Sequence, residues 1–236
     1  MITVACVKWG DKYSEEYVYR LRDMVAKNLS IPHQFVCISD EFIEGIYTSK
    51  PPNEFELDGW WPKMFLYRPD LFTGKVLYLD LDTVIQKNID ALVSYSDGFC
   101  GVYTKWNPIT TDGTYAWTTL RHKIPFNSSV LTFTAEDYYW LWDKFTKDPI
   151  GYMMKYYGDD KFLGNEIPEY DTFPDDWIYS RLYGIDEETK WNDNVKLSTY
   201  SSQDVYYFPD RKICMLNGPT NEKHYGGNLR KYWDVE

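Results

Sequence analysis

Lys75-Val76-Leu77-Tyr78-Leu79-Asp80-Leu81-Asp82 runs out of a turn at Thr73-Gly74 and stops on two acidic residues. A near-continuous apolar run of this length is the pattern of a buried strand in a mostly parallel sheet. Alternate side chains of an extended chain share a face, so Asp80 and Asp82 point at one spot while Leu81 turns to the core. In open α/β sheets, ligands bind beyond the carboxyl ends of the strands. Two carboxylates there suit a hard divalent cation with oxygen ligands, Mg²⁺ or Mn²⁺. The competing reading is a solvated strand end, because 36 acidic residues make an Asp-x-Asp spacing common by chance.

Upstream, Ile2-Thr3-Val4-Ala5-Cys6-Val7 reads as a first strand. A helix is expected from Ser14, with Glu15 and Glu16 in its first turn and Tyr17, Leu21, Met24, Val25 and Leu29 facing inward. Ile31-Pro32 stops it, and Gln34 to Ile38 forms the next strand, ending at Ser39-Asp40. Strand, helix, strand favours a parallel sheet. Residues 41 to 60 read as irregular, and Pro62 opens a helix that runs to Tyr67. Downstream, residues 104 to 125 form a polar, aromatic loop region. Asn127 to Phe133 is a strand, Ala135 to Phe145 a helix, Pro174 to Tyr183 a helix, and Arg211 to Leu216 a last strand. No repeat, low-complexity tract or linker divides the chain.

The chain has 236 residues, enough for one well-filled domain. A net charge of -11 and the lack of any Lys/Arg-rich run argue against nonspecific nucleic-acid binding. A single nucleotide ligand stays compatible, since a bound divalent cation screens its diphosphate. Aromatic residues reach 19%, which serves packing or stacking on sugars and bases. Cys6, Cys37, Cys100 and Cys214 form no C-x-x-C pair, and three lie in apolar strand-like runs. A reducing, cytoplasmic compartment is expected, with no signal peptide and no transmembrane span.

The block around Trp61-Pro62-Lys63 and Gly74 to Val84 resembles the donor site of glycosyltransferase family 8, the glycogenin-like and galactosyltransferase-like enzymes. Phe126-Asn127-Ser128-Ser129-Val130 is similar to that family's Phe-Asn-Ser-Gly-Val strand. Pro174-Asp175-Asp176-Trp177 stands for its Gly-Asp-Gln, and Leu216-Asn217-Gly218-Pro219 for its His-Gly-x-Pro stretch. The resemblance implies an α/β fold: a single GT-A domain over 1-236, with a mostly parallel, Rossmann-like central sheet flanked by helices. Its nucleotide-binding half covers about 1-103 and its acceptor half about 104-236.

The resemblance also implies roles. Asp80 and Asp82 hold Mn²⁺ or Mg²⁺, which grips the diphosphate of a UDP-sugar donor. Lys63 reaches the donor, and Leu81 and Gly218 are grouped with the donor contacts. Asn127 and Ser128 line the sugar site. Asp176 contacts the transferred sugar, unless Asp175 does so or both only cap a helix. Val7, Lys8, Trp9 and Tyr13 meet base and ribose, and Asp40 accepts from a uracil N–H. The acceptor is a glycan, a lipid-linked sugar or a protein. The family transfers with retention of configuration.

Two departures stand out. Asn217 replaces the histidine that usually completes the metal site, so either Asn217 or His224 is the third ligand. The lysine that follows the family's proline is missing, which leaves Lys223 or Arg230 to cover the phosphate. A catalytically weakened nucleotide-sugar or carbohydrate-binding domain is the alternative these departures keep open.

Overall fold

The computed structural model describes residues 1–104, 126–156, 158–185, 206–218 and 227–234. Strand β1 (Ile2–Lys8) pairs in parallel with β2 (His33–Ser39), and β2 pairs in parallel with β3 (Tyr47–Ser49). On its other side β1 pairs in parallel with β4 (Lys75–Leu79). A short strand, β5 (Thr83–Ile85), helix α2 (Asp90–Ser94) and strand β6 (Cys100–Tyr103) follow. Strand β7 (Phe126–Thr134) lies antiparallel to both β4 and β6, and β8 (Asp171–Thr172) closes the far edge. The seven-stranded order is β3-β2-β1-β4-β7-β6-β8. β1 has β2 on one side and β4 on the other, so the strand order reverses at the β1/β4 boundary. In open α/β sheets such a switch point is the place, beyond the strand ends, where ligands bind.

Alternation along the strands feeds two cores. Val4, Cys6, Leu77 and Leu79 pack on one face, together with helix α1 (Glu15–Asn28). Ala5, Val76 and Tyr78 pack on the other, against a 3₁₀ helix (Trp61–Tyr67) and α3 (Ala135–Phe145). Helix α4 (Pro149–Tyr156) and α5 (Asp159–Glu166) complete that second layer. Trp61 stacks on Phe145 at 5.4 Å between ring centroids, tying the two halves of the chain together. Helix α1 buries Val18, Leu21, Met24 and Val25, with Tyr17 half-buried beside them and Leu29 buried just beyond its end. Ser14 takes the extended N-cap conformation without a side-chain cap bond, so Glu15 and Glu16 at the positive helix end supply the polar start. The four cysteines are free and buried, as small hydrophobes. No helix among the described residues is long and apolar enough to cross a membrane.

The helix expected from Pro62 to Tyr67 is present as a 3₁₀ helix over Trp61–Tyr67, and all seven of its residues are buried. Two expectations need correction. Residues 41 to 60 include strand β3. The helix expected over Pro174 to Tyr183 is a turn followed by strand β9 (Ile178–Ser180). Here β9 pairs in parallel with β10 (Ile213–Met215), which runs antiparallel to β5, giving a second, three-stranded sheet. The Pro-Asp-Asp opening resembles a helix start, but Trp177 N–H bonds back to the Pro174 carbonyl at 3.0 Å, a turn. Ile178-Tyr179 then follows the strand preference of β-branched and aromatic residues.

Candidate active site

Strand β4 delivers Asp80 to the switch point, and a turn carries the chain through Leu81 to Asp82, with Thr83 N–H bonded to the Asp80 carbonyl at 3.2 Å. Leu81 is buried in the core, as its place between the two acids requires. Each carboxylate is held by one oxygen. Oδ1 of Asp80 accepts from the Tyr78 hydroxyl at 2.6 Å and lies 2.9 Å from Lys63 Nζ. Oδ2 of Asp82 accepts from the Gly218 N–H at 2.6 Å and the Tyr13 hydroxyl at 3.1 Å. Among the described residues no hydrogen bond falls on Oδ2 of Asp80 or Oδ1 of Asp82, so one hard oxygen of each remains for a further partner. Burial, then the neighbouring charge of Asp80, pushes the Asp82 carboxyl up to about 6.

Antiparallel β7 starts beside the end of β4, and Asp80 N–H bonds to the Ser129 carbonyl at 2.8 Å. That puts Asn127 and Ser128 at the same corner. Ser128 Oγ accepts from Lys63 Nζ at 3.1 Å and donates to Oδ2 of Asp159 at 2.6 Å. Lys63 Nζ also lies 3.4 Å from that Asp159 oxygen. Burial opposes the Lys63 charge, but Asp159 and Asp80 outweigh it and raise its pKa. Asp159 itself is pushed up to about 6, first by burial, against the pull of Lys63. Asn127 folds its Oδ1 onto the Ser129 N–H at 2.9 Å in a local turn.

Asp159 was not read from the sequence as a site residue. Its signal is Gly158-Asp159-Asp160, which follows a Gly-Asp-x pattern more closely than Pro174-Asp175-Asp176 does. The structure brings Asp159 to Lys63 and leaves Asp175 and Asp176 on an exposed turn. These two lie at the start of β9, while Ser180, at its other end, bonds Asn217. Arg211 and Lys212 are the neighbours of that turn: Arg211 Nη1 donates to the Asp175 carbonyl, and Lys212 N–H to that of Trp177.

On the nucleotide side, the Lys8 ammonium is buried and paired with Glu41, and also reaches the Gly10 carbonyl at 3.4 Å. Val7 and Trp9 pack on the second core, and Trp9 lies 5.2 Å from the Phe65 ring. Oδ2 of Asp40 accepts from the Gly10 N–H at 3.0 Å, while its Oδ1 is buried without a partner among the described residues. A buried acceptor left open in this way is costly unless a ligand fills it.

Asn217 takes a positive φ of 61°, which Asn tolerates, and Gly218 follows at 138°. Leu216 N–H bonds to the Asp82 carbonyl at 2.9 Å, so the strap 216–218 is tied to Asp82 at both ends. Ser180 Oγ accepts from Tyr183 N–H at 2.9 Å and donates to Asn217 Oδ1 at 2.5 Å, which orients the amide. His224 and Lys223 lie outside the described residues. Among those described, no three His, Cys, Asp or Glu side chains gather to hold a metal.

Comparison with solved structures matches this architecture to glycosyltransferases. The glycosyltransferase GlyE of Streptococcus pneumoniae TIGR4 superposes with a TM-score of 0.64 at 14% identity, over 100% of this chain and 60% of that one. The galactosyltransferase LgtC, solved with donor and acceptor sugar analogues, gives a TM-score of 0.64 at 10% identity, over 99% of this chain and 94% of LgtC. The bifunctional glycosyltransferase WbbM gives 0.60 at 12%, over 99% of this chain and 49% of its own. This chain therefore spans about three fifths of GlyE and nearly all of LgtC. No protein-family model matches the sequence, and no curated sequence does. The chain has the fold of a GT-A glycosyltransferase.

Proposed function

We propose that this chain is a metal-dependent glycosyltransferase that moves a hexose from a UDP-hexose to an acceptor, with retention. One observation carries the reading. Asp80 and Asp159 both pair with the one ammonium of Lys63, while Asp82, close enough to feel the charge of Asp80, is held by neutral groups alone, so three carboxylates at the sheet's switch point face a single cation, and a divalent ion would match the excess. The remaining oxygens of Asp80 and Asp82 are donors of the kind Mg²⁺ and Mn²⁺ take. A third protein ligand would be Asn217 or His224, and water fills the other positions. When bound, the cation supplies Lewis-acid charge to the departing diphosphate.

The chain's own residues do the rest. Tyr78, Tyr13, Gly218 and Lys63 fix the two carboxylates. Ser128, Asn127 and Asp159 offer donors and acceptors to sugar hydroxyls, with Asp159 taking the sugar contact first expected of Asp176 or Asp175. The open Oδ1 of Asp40 suits a ring N–H of the base, and Tyr13 or Trp9 stacks on it, with Val7 and Lys8 beside. The acceptor attacks from the face of the leaving group, and a donor phosphate oxygen takes its proton.

The test is release of UDP from a panel of UDP-hexoses, with Mn²⁺ and with chelator. Slow, metal-dependent release without acceptor is expected. Binding with no release under any condition would instead mark a domain that holds nucleotide sugars without turnover, which the engaged Asn217 amide favours. Neither binding nor release would end the transferase reading.

A further inference from the structure

Behind Asp82 stands a column of aromatic rings. The Tyr13 hydroxyl donates to Asp82 Oδ2 at 3.1 Å. The Tyr13 ring meets Tyr17 edge-on, with centroids 4.9 Å apart at 68°. Tyr17, in the first turn of α1, meets Trp233 edge-on at 5.4 Å and 75°. Trp233 is 2% exposed and belongs to the four-residue helix α6 (Arg230–Trp233) near the C-terminus. Arg20 lies over its ring at 5.4 Å and pairs with Asp234 and Glu16. Leu229, just before, is buried in the same core. Contacts thus run without a break from the C-terminal helix to one oxygen of a site carboxylate.

A helix of four residues does not hold itself together in water, so α6 exists because it docks. Short segments held by few buried side chains, here Leu229 and Trp233, also open locally at low cost compared with the body of a fold. When α6 is seated, Trp233 limits where Tyr17 can go, and Tyr17 limits the tilt of Tyr13. The Tyr13 hydroxyl and the Gly218 N–H then hold Asp82 Oδ2 from two directions, leaving Oδ1 without a hydrogen bond among the described residues. Loss of a residue that orients a metal ligand typically costs about 10–100-fold in metal affinity.

We propose that Tyr13 is a positioning residue through which the seating of residues 227–234 sets the geometry of Asp82. The C-terminal segment then tunes how tightly the site takes a divalent cation. This rests on Asp80 and Asp82 being the cation ligands, and the experiment separates the two claims.

The full chain carries 3-fluorotyrosine at position 13, read by fluorine NMR. Mn²⁺ affinity is read in parallel from the spin-resonance signal of free Mn²⁺. Trp233→Leu is expected to move the fluorine resonance and to weaken Mn²⁺ binding by about 10-fold, as Tyr13→Phe does alone. The double variant is expected to lose no more than either single one. Tyr17→Leu breaks the column in its middle and gives the same readouts, should Trp233→Leu not fold. A resonance unmoved by both variants overturns the proposal. So does an unchanged Mn²⁺ affinity when the resonance moves, or losses that multiply to about 100-fold in the double variant. If the wild-type chain takes up no Mn²⁺ while the resonance moves, the cation reading fails and the mechanical link stands.

Discussion

The ammonium of Lys63 lies 2.9 Å from Oδ1 of Asp80, and both groups are largely withdrawn from water. Asp159 flanks the same ammonium on the side of Ser128. Lys63 is thus a structural counter-charge whatever its proposed role toward the donor. Removing one partner of a buried pair leaves the other charge uncompensated, at about 3–5 kcal/mol. Lys63→Met should lower stability by about 3 kcal/mol, a fall in Tm of about 6–12 °C for a chain of this size. Thermal denaturation by circular dichroism checks it, and a loss below about 1 kcal/mol would contradict the pairing.

The two raised carboxyls give an unusual pH response. Asp82 and Asp159 both stand at about 6, above an ordinary 3.8. Such groups stabilise the fold fully below their unfolded pKa and lose that contribution as pH rises through the folded value. In chelator, Tm should therefore rise as pH falls from 7.5 toward 5. Asp82→Asn should flatten that rise and raise Tm at pH 7.5 by about 2–4 °C, the effect of about 1 kcal/mol. A metal-free wild type whose Tm drops steadily over this window would speak against it.

Asp159 and Asp176 make opposite claims on the sugar. Asp159→Ala should cut transfer or donor hydrolysis by about 100-fold, the scale of losing a group aimed at the reacting centre. Asp176→Ala, on its exposed turn, should stay within about 3-fold, as surface changes usually shift stability by under 0.5 kcal/mol. Steady-state kinetics on both variants decide, and the reverse ranking would return the sugar contact to Asp176.

Asn217→His puts an imidazole where an amide stands. Imidazole suits Mn²⁺ less selectively than it suits later metals but binds it more tightly than an amide oxygen does. The backbone permits the change, because His also visits positive φ. Mn²⁺ affinity by calorimetry should rise about 10-fold. No change would mean that Asn217 is not a ligand and only braces Ser180.

The order of β1, α1, β2 and β4 was legible because periodicity and burial agree there: Leu77, Leu79 and Leu81 are in the core, and Asp80 and Asp82 share one corner. Lys63 and Ser128 joined it from 3₁₀ and strand elements that local patterns also marked. Asp159 was passed over because α5 is only eight residues long and nothing local to it points to Lys63, almost a hundred positions away. The helix expected across Asp175 and Asp176 fails for a related reason. A Pro-Asp-Asp opening is common to turns and helices, and only pairing of Ile178 to Ser180 with a strand some 35 residues away decides between them. Contacts of that range leave no local trace.

The bond from Asp80 N–H to the Ser129 carbonyl extends the β4–β7 ladder one step beyond the end of β4, up to the first of the two acids. The two corners of the site are therefore not free to drift apart: a shift of one strand drags the other. Evolution or a protein engineer seeking a new sugar would find that framework stiff, and would have to work instead on the side chains that project from it and on the segments that border it.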